Sequence, residues 1–195
     1  MKLKLIVKDN ENDGRFDPIL KFIQTQWEMI PVDFTNKGSL ASAMATANAV
    51  ISMTWTKDFP KAPNLKLLQL QGAGVDNIDL SSVPPKSYVC NVYEHEIGIS
   101  EYVLGAILQW NTQINKHDSS LRNNNWFGSY LFGPPHKELY GQTIGIVGYG
   151  RIGKEVAKRA KAFGMNIVAC TRTNHKEDDF VDKLMPMEEL DQLLR

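Results

Sequence analysis

A glycine-rich turn between a strand and a helix constrains the fold of this chain more than any other feature. Thr143–Val147 is a β-branched run, and it leads directly into the turn Gly148-Tyr149-Gly150-Arg151-Ile152-Gly153. The segment after the turn has apolar residues at helical spacing, namely Ile152, Val156, Ala157, Ala160 and Phe163. Asn166–Thr171 then has the composition of a second strand. The order strand, turn, helix and strand predicts a βαβ unit.

The spacing of the three glycines indicates a dinucleotide-binding turn. Gly148 permits the tight turn, Gly150 lets the backbone approach a pyrophosphate, and Gly153 lets helix and strand pack closely. The N–H groups at the helix start, around Arg151 and Ile152, and the helix dipole would bind the phosphates. Because strand, helix and strand follow in order, this interpretation is favoured over an ordinary glycine-rich turn.

The end of the second strand indicates which dinucleotide is bound. An Asp or Glu at this place normally accepts a hydrogen bond from the ribose 2′-OH of NAD. Here the strand ends with Cys170, Thr171, Arg172 and Thr173, which include no acid. A carboxylate would repel a 2′-phosphate, whereas hydroxyl groups and a guanidinium donate to one. We therefore expect NADP(H) rather than NAD(H), the alternative being that Arg172 is only a solvated residue at the strand end.

The first half of the chain alternates short apolar runs with helical patterns, which predicts a parallel α/β sheet. Strands are expected at residues 3–7, 28–32, 49–53, 66–71 and 88–92, and helices at residues 17–26 and 39–47. A long helix begins at residue 97, with Ile99, Val103, Ala106, Ile107 and Trp110 expected along one apolar face. The change of pattern predicts one domain at residues 1–95 and a second at residues 96–195.

Composition argues against several classes of protein. Lys and Arg together number 22, as do Asp and Glu, so no net charge attracts the chain to nucleic acid or to an anionic membrane. No apolar run suggests a signal peptide or a membrane span, which makes a cytoplasmic location the default expectation. Cys90 and Cys170 lie in apolar runs and are expected to be buried thiols, so neither a disulfide nor a metal site is indicated.

Four segments, taken in order, resemble the D-isomer-specific 2-hydroxyacid dehydrogenases. They are residues 65–69 running into residues 72–79, Ser100 and Glu101 opening the long helix, residues 122–126, and residues 138–148. The match extends over nearly the whole chain. The resemblance implies a flavodoxin-like, parallel-sheet substrate domain followed by a partial Rossmann nucleotide-binding domain.

The resemblance also implies an activity. It is that of an NAD(P)-dependent oxidoreductase acting on a CH–OH group, which reduces small 2-keto acids such as glyoxylate or hydroxypyruvate to D-2-hydroxy acids and is a homodimer in its full-length form. In the family, an Arg binds the substrate and a His, supported by a Glu, acts as general acid. All three follow the first half of the Rossmann domain, so this chain is expected to contain none of them and to be inactive by itself.

Two other functional classes are alternatives for this sequence. The first is a non-catalytic nucleotide-binding or oligomerising fragment. The second is a methyltransferase that uses the same turn for an adenosyl cofactor, which the substrate-domain motifs disfavour.

Four aromatic residues, Trp126, Phe127, Tyr130 and Phe132, lie in a polar stretch and favour a subunit contact.

The resemblance assigns substrate binding to the turn that contains Ala73 and Gly74. Backbone N–H groups in a glycine-rich turn form a nest that binds anions such as a carboxylate. The alternative is a plain turn that needs glycine for positive φ. Trp55 falls where family members shape the substrate pocket, although an aromatic residue at a strand end more often packs in a core.

The remaining candidate acids and bases are not expected to be catalytic. Pro135-His136 imitates a family dipeptide but precedes the glycine-rich turn, so it is interpreted as an interdomain loop. Glu101 is interpreted as a helix-start residue that the helix dipole stabilises. His95, His117 and His175 are expected to be surface residues.

Overall fold

The computed structural model describes residues 2–8, 16–126, 128, 137–172 and 178–194. The chain divides into two compact units, Met1–Tyr93 and Glu94–Arg195. This division lies two residues before the predicted boundary. Within the described ranges, no helix combines the length and the apolar character that crossing a bilayer requires.

The first unit contains a five-stranded parallel sheet in the order β2-β1-β3-β4-β5. Its strands are β1 (Leu3–Lys8), β2 (Trp27–Val32), β3 (Ala49–Ile51), β4 (Leu67–Gln69) and β5 (Tyr88–Cys90), and helix α1 (Lys37–Met44) lies between β2 and β3. This is the strand order of flavodoxin-like sheets, so the predicted fold class is confirmed.

The strands of this sheet are buried on both faces. Ile6 and Val50 pack with α1 in one cluster of apolar side chains, whereas their neighbours Val7 and Ile51 belong to a second cluster. Alternate residues of a strand point to opposite faces, so two apolar layers require nearly continuous apolar strands. The short runs recognised in the sequence have this composition because helices and loops cover both faces of the sheet.

Two expectations for the first unit are wrong. The helix expected at residues 17–26 is a 3-10 helix, Asp17–Lys21, without buried residues, and so no packing supports a longer helix. Cys90 is exposed, whereas Cys170 is buried as expected. Cys90 ends β5, which is an edge strand of the sheet, and its side chain is not covered there.

The second unit contains a three-stranded parallel sheet in the order β6-β7-β8. The strands are β6 (Thr143–Val147), β7 (Asn166–Thr171) and β8 (Lys183–Pro186), and helix α4 (Arg151–Ala162) connects β6 to β7. The predicted βαβ unit is therefore present, and the three strands are the order expected of half a Rossmann sheet. The short strand β8, which contains a Pro and a Lys, was not predicted.

Helices α2 (His95–Thr112), α3 (Ile114–Arg122) and α5 (Leu190–Leu193) complete the second unit. Gln113 separates α2 from α3 with a left-handed backbone, φ 51°. The buried residues of α2 include Ser100 and Leu104, whereas Trp110 is 84% exposed. The predicted apolar face is therefore wrong in part, because α2 is apolar on more than one side and spacing alone does not select the side that packs.

Candidate dinucleotide site

The glycine-rich turn joins β6 to α4 at the carboxyl end of the second sheet. Gly148 has φ 101°, a conformation that glycine adopts far more readily than other residues. Its N–H donates to the carbonyl of Cys170 at 2.8 Å, which fixes the turn to the neighbouring strand β7. The chain reverses here as the predicted role of Gly148 requires.

Gly153 and Gly150 differ in what surrounds them. A Cβ at Gly153 would lie 2.2 Å from the carbonyl oxygen of Gly148, so only glycine allows this approach of helix and turn. A Cβ at Gly150 would have no atom of the described residues within 4 Å. Packing within the unit therefore explains Gly153 but not Gly150, whose backbone faces open space where a phosphate would approach.

The N-terminus of α4 is suited to bind an anion. Gly150 is the N-cap residue that precedes the helix, and as a glycine it has no side chain to accept a hydrogen bond from the first turn. The first turn also contains no acidic residue that would repel a phosphate. N–H groups at a helix start and the positive end of the helix dipole together attract phosphate oxygens.

Arg151, in the turn, forms an ion pair with Glu96 at the start of α2. Its Nη1 lies 3.2 Å from Oε1 of Glu96, and the Glu96 side chain is only 10% exposed. The pKa of Glu96 is lowered mainly by a hydrogen bond from its own backbone N–H and further by the Arg151 guanidinium, despite burial. Sequence reasoning missed this pair, because it depends on α2 packing against α4.

Glu101 lies later in α2 than expected. The helix begins at His95, so Glu96 occupies the first turn and Glu101 the second. The carboxylate of Glu101 is 67% exposed and lies 3.9 Å from Nη2 of Arg159. The predicted helix-start role of Glu101 is therefore wrong and belongs to Glu96.

Thr171 and Arg172 lie at the same end of the sheet as the turn. In the parallel register Val147 is opposite Cys170, so the residues that follow each strand are neighbours. Thr171 is 9% exposed, and Arg172 is exposed. Thr173, also predicted to bind the cofactor, lies outside the described residues.

Tyr149 links the turn to the chain that enters β8. Its ring is fully buried, and its hydroxyl donates to Oδ1 of Asp178 at 2.6 Å. Lys154 Nζ lies 3.0 Å from Oδ2 of the same carboxylate. Burial and the neighbouring Asp178 raise the pKa of Tyr149 well above its ordinary value, so the phenol stays a donor. The sequence carried no signal for this contact between residues far apart in the chain.

Two acids that follow β7 already have partners. Burial raises the pKa of Asp178, but hydrogen bonds from Tyr149 and Lys154 outweigh it and hold that pKa below its ordinary value. Asp182 accepts from the N–H of Ile167 at 2.7 Å and pairs with Lys161. Neither carboxylate therefore replaces the acid that is missing from the end of β7.

The residues predicted to bind substrate lie in the first unit. The carbonyl of Ala73 accepts a hydrogen bond from Nδ2 of Asn91 at 2.9 Å, and Gly74 is exposed. Gly74 does not have positive φ, so the alternative of a turn that needs glycine for that conformation is wrong. Binding of a carboxylate by this turn stays a prediction.

Trp55 packs in the core of the first unit. It is 2% exposed and stacks on Phe59 with ring centroids 5.0 Å apart. Its backbone N–H donates to the carbonyl of Asn77 and its carbonyl accepts from the N–H of Asp79, so it also holds the segment after Gly74. Any influence of Trp55 on a substrate is therefore expected to act through that segment.

The two described histidines, His95 and His117, do not form a cluster with acids. His95 is exposed and His117 is half-buried. His136 and His175 lie outside the described residues. Among the residues that the structure describes, no group of three or more His, Cys, Asp or Glu side chains is arranged to hold a metal ion.

Comparison with known proteins agrees with this geometry. Residues 104–195 match the family model described as D-isomer specific 2-hydroxyacid dehydrogenase, NAD binding domain. The D-3-phosphoglycerate dehydrogenase of Methanocaldococcus jannaschii is 32% identical over 169 residues, which are 84% of this chain and 32% of that protein. The hydroxypyruvate reductase of Thermotoga maritima is 35% identical over 143 residues, covering 65% of this chain and 46% of that protein.

A solved structure extends the comparison to the fold. The probable 2-hydroxyacid dehydrogenase of Rhizobium etli, in complex with NADP, HEPES and L(+)-tartaric acid, is 25% identical with a TM-score of 0.64. The match covers 99% of this chain and 59% of that one. The chain thus spans about a third to a half of the length of the curated relatives described here. By sequence and fold, the chain belongs to the D-isomer-specific 2-hydroxyacid dehydrogenase family.

Proposed function

We propose that this chain supplies the coenzyme-binding turn and the substrate-carboxylate turn of an NADP(H)-dependent oxidoreductase that reduces small 2-keto acids to D-2-hydroxy acids. One observation carries the choice of coenzyme. The uncapped start of α4 lies beside a strand end that has Thr171 and Arg172 and no acid. Hydroxyl and guanidinium donors suit a 2′-phosphate, and a related structure contains NADP.

Each group would have a defined task. The bound coenzyme supplies the hydride. The N–H groups at the start of α4 hold the pyrophosphate, and the open space at Gly150 lets the phosphates approach the backbone. Arg172 pairs with the 2′-phosphate, and the N–H groups of Ala73 and Gly74 hold the carboxylate of the keto acid. The family's catalytic Arg, Glu and His are not assigned to residues of this chain.

Glyoxylate or hydroxypyruvate is the proposed substrate of the full-length enzyme, which we propose to be a homodimer. The related hydroxypyruvate reductase supports this choice. D-3-phosphoglycerate is the second candidate, because a relative named for that substrate matches a larger share of this chain. Turnover of each compound by a full-length form would distinguish the two.

Coenzyme titration of the purified 195-residue chain tests the proposal. We expect NADPH to bind more tightly than NADH, and the double variant Thr171→Asp, Arg172→Ala to reverse this order, because a carboxylate accepts from a ribose hydroxyl and repels a phosphate. Arg122→Ala, which removes an exposed Arg that pairs with Asp118 in its own helix, is the matched control. Tighter binding of NADH by the unmodified chain would contradict the proposal.

A further inference from the structure

The second residue of the glycine-rich turn is a buried tyrosine. Tyr149 lies between Gly148 and Gly150 and has no exposed surface. A buried phenol needs a hydrogen-bond partner, because leaving its hydroxyl unpaired costs free energy. The partner is Asp178, 29 residues later in the chain. The turn thus has a side-chain hydrogen bond to a distant residue. Backbone N–H groups could bind a pyrophosphate without this hydrogen bond.

The Asp178 carboxylate joins three parts of the second unit. Oδ1 accepts from the hydroxyl of Tyr149 and from the backbone N–H of Phe180, at 2.6 and 3.1 Å. Oδ2 pairs with Lys154 in α4. Lys154 Nζ also lies 5.4 Å from the centroid of the Tyr149 ring, within the range of a cation–π interaction. These contacts connect the turn, the helix and the chain that enters β8.

The contacts also balance the charge of Asp178 beside the glycine-rich turn. The Asp178 carboxylate is the first described acid after Arg172, and an unpaired carboxylate there would oppose a 2′-phosphate. Lys154 supplies the compensating positive charge at 3.0 Å. Despite burial, hydrogen bonds from Tyr149 and Lys154 lower the pKa of Asp178, so its carboxylate is ionised at neutral pH.

We propose that Tyr149, Lys154 and Asp178 are positioning residues that hold the segment from Asp178 into β8 against the glycine-rich turn and thereby set the selectivity of Arg172 for a 2′-phosphate. The inference rests on the proposed function. The pyrophosphate and the 2′-phosphate belong to one ligand, so the turn and the strand end must hold a fixed spacing to bind both. An ordered binding segment loses less entropy when the ligand binds.

Tyr149→Phe is the decisive variant, because it removes one hydroxyl and keeps the buried ring. We expect the dissociation constant for NADP+ to rise roughly fivefold, as for one lost hydrogen bond, and that for NAD+ to change by less than about twofold. Tyr140→Phe is the matched control, since Tyr140 is 78% exposed.

Hydrogen exchange of the coenzyme-free chain measures the link itself. We expect faster exchange at residues 178–181 in Tyr149→Phe, with unchanged exchange in the core of the first unit. An equal loss of affinity for both coenzymes would indicate a purely structural role and would overturn the inference. It would also be overturned if neither the ratio of the two dissociation constants nor the hydrogen exchange at residues 178–181 changed. A wild-type chain that prefers NAD+ would instead overturn the proposed function, and with it the selectivity assigned here.

Discussion

At the scale of single residues, two glycines of the turn have different physical reasons to be glycine. Gly153 lacks room for a Cβ, because the carbonyl of Gly148 is too close. Gly150 has room within the chain, so the space beside it is available to a ligand. The same residue type thus serves packing at one position and binding at the other.

This difference predicts opposite outcomes for two matched variants. Gly153→Ala should lower the free energy of unfolding by about 1–3 kcal/mol. The added methyl group would clash with the backbone carbonyl of Gly148, which can move only by straining the turn. Gly150→Ala should unfold at nearly the same denaturant concentration but bind NADPH more weakly, because the new methyl group occupies the phosphate's approach. Chemical denaturation and coenzyme titration measure the two effects. Equal stability of both variants would contradict the packing role assigned to Gly153.

At the scale of elements, the start of α2 is joined to the start of α4. Glu96 is almost buried and stays ionised beside its own backbone N–H and the guanidinium of Arg151. Since an acid in the first turn also interacts favourably with the helix dipole, Glu96 stabilises α2 and the contact between the two helices.

This pair predicts a pH dependence of stability. The pKa of Glu96 is lower in the folded chain than its ordinary value, so its contribution is present above the unfolded-state pKa and is lost as pH falls through the folded-state pKa. Glu96→Gln should therefore destabilise the chain at neutral pH and lose less stability on acidification. Denaturant unfolding at neutral and acidic pH measures the difference. Glu94→Gln, an exposed neighbour, is the control, and identical pH profiles for wild type and Glu96→Gln would refute the assignment.

At the scale of the whole molecule, β6 has a paired strand on one side only among the described residues. Val147, the last residue of that strand, is 57% exposed. An edge strand presents unpaired N–H and C=O groups that attract another strand. Trp110 and Trp126 add exposed apolar surface in the same unit, at 84% and 73% exposure.

We predict that the isolated chain is oligomeric or prone to aggregate. The five-stranded first unit should be the more stable one, because its sheet buries apolar side chains on both faces. Sedimentation measures the association, and hydrogen exchange compares residues 2–93 with residues 94–194. A monomer with equal protection in both units would contradict this expectation.

We also predict that the 195-residue chain alone does not reduce glyoxylate or hydroxypyruvate. Holding a coenzyme and a substrate carboxylate does not replace proton donation to the ketone by a general acid or binding of the substrate by a catalytic Arg. Oxidation of NADPH, followed with each keto acid, measures this. Robust turnover by the purified chain would show that the general acid lies within it.

Features that depend on neighbouring residues could be predicted from the amino-acid sequence alone. The spacing of Gly148, Gly150 and Gly153 between a β-branched run and a helical pattern was sufficient for the βαβ unit, because tight turns and close helix packing demand glycine locally. Continuous apolar runs likewise indicated a parallel sheet covered on both faces. The missing acid beside Arg172 was also readable without a structure.

Contacts between distant residues depend instead on how the helices and strands pack. Glu96 pairs with Arg151 across 55 positions, and Tyr149 with Asp178 across 29, so no local pattern encodes either contact. The buried side of α2 could not be predicted either. This helix has apolar residues on more than one side, and the elements that pack against it select the side that is buried. Local chemistry thus specified the turn, whereas packing between elements selected the side chains that hold it in place.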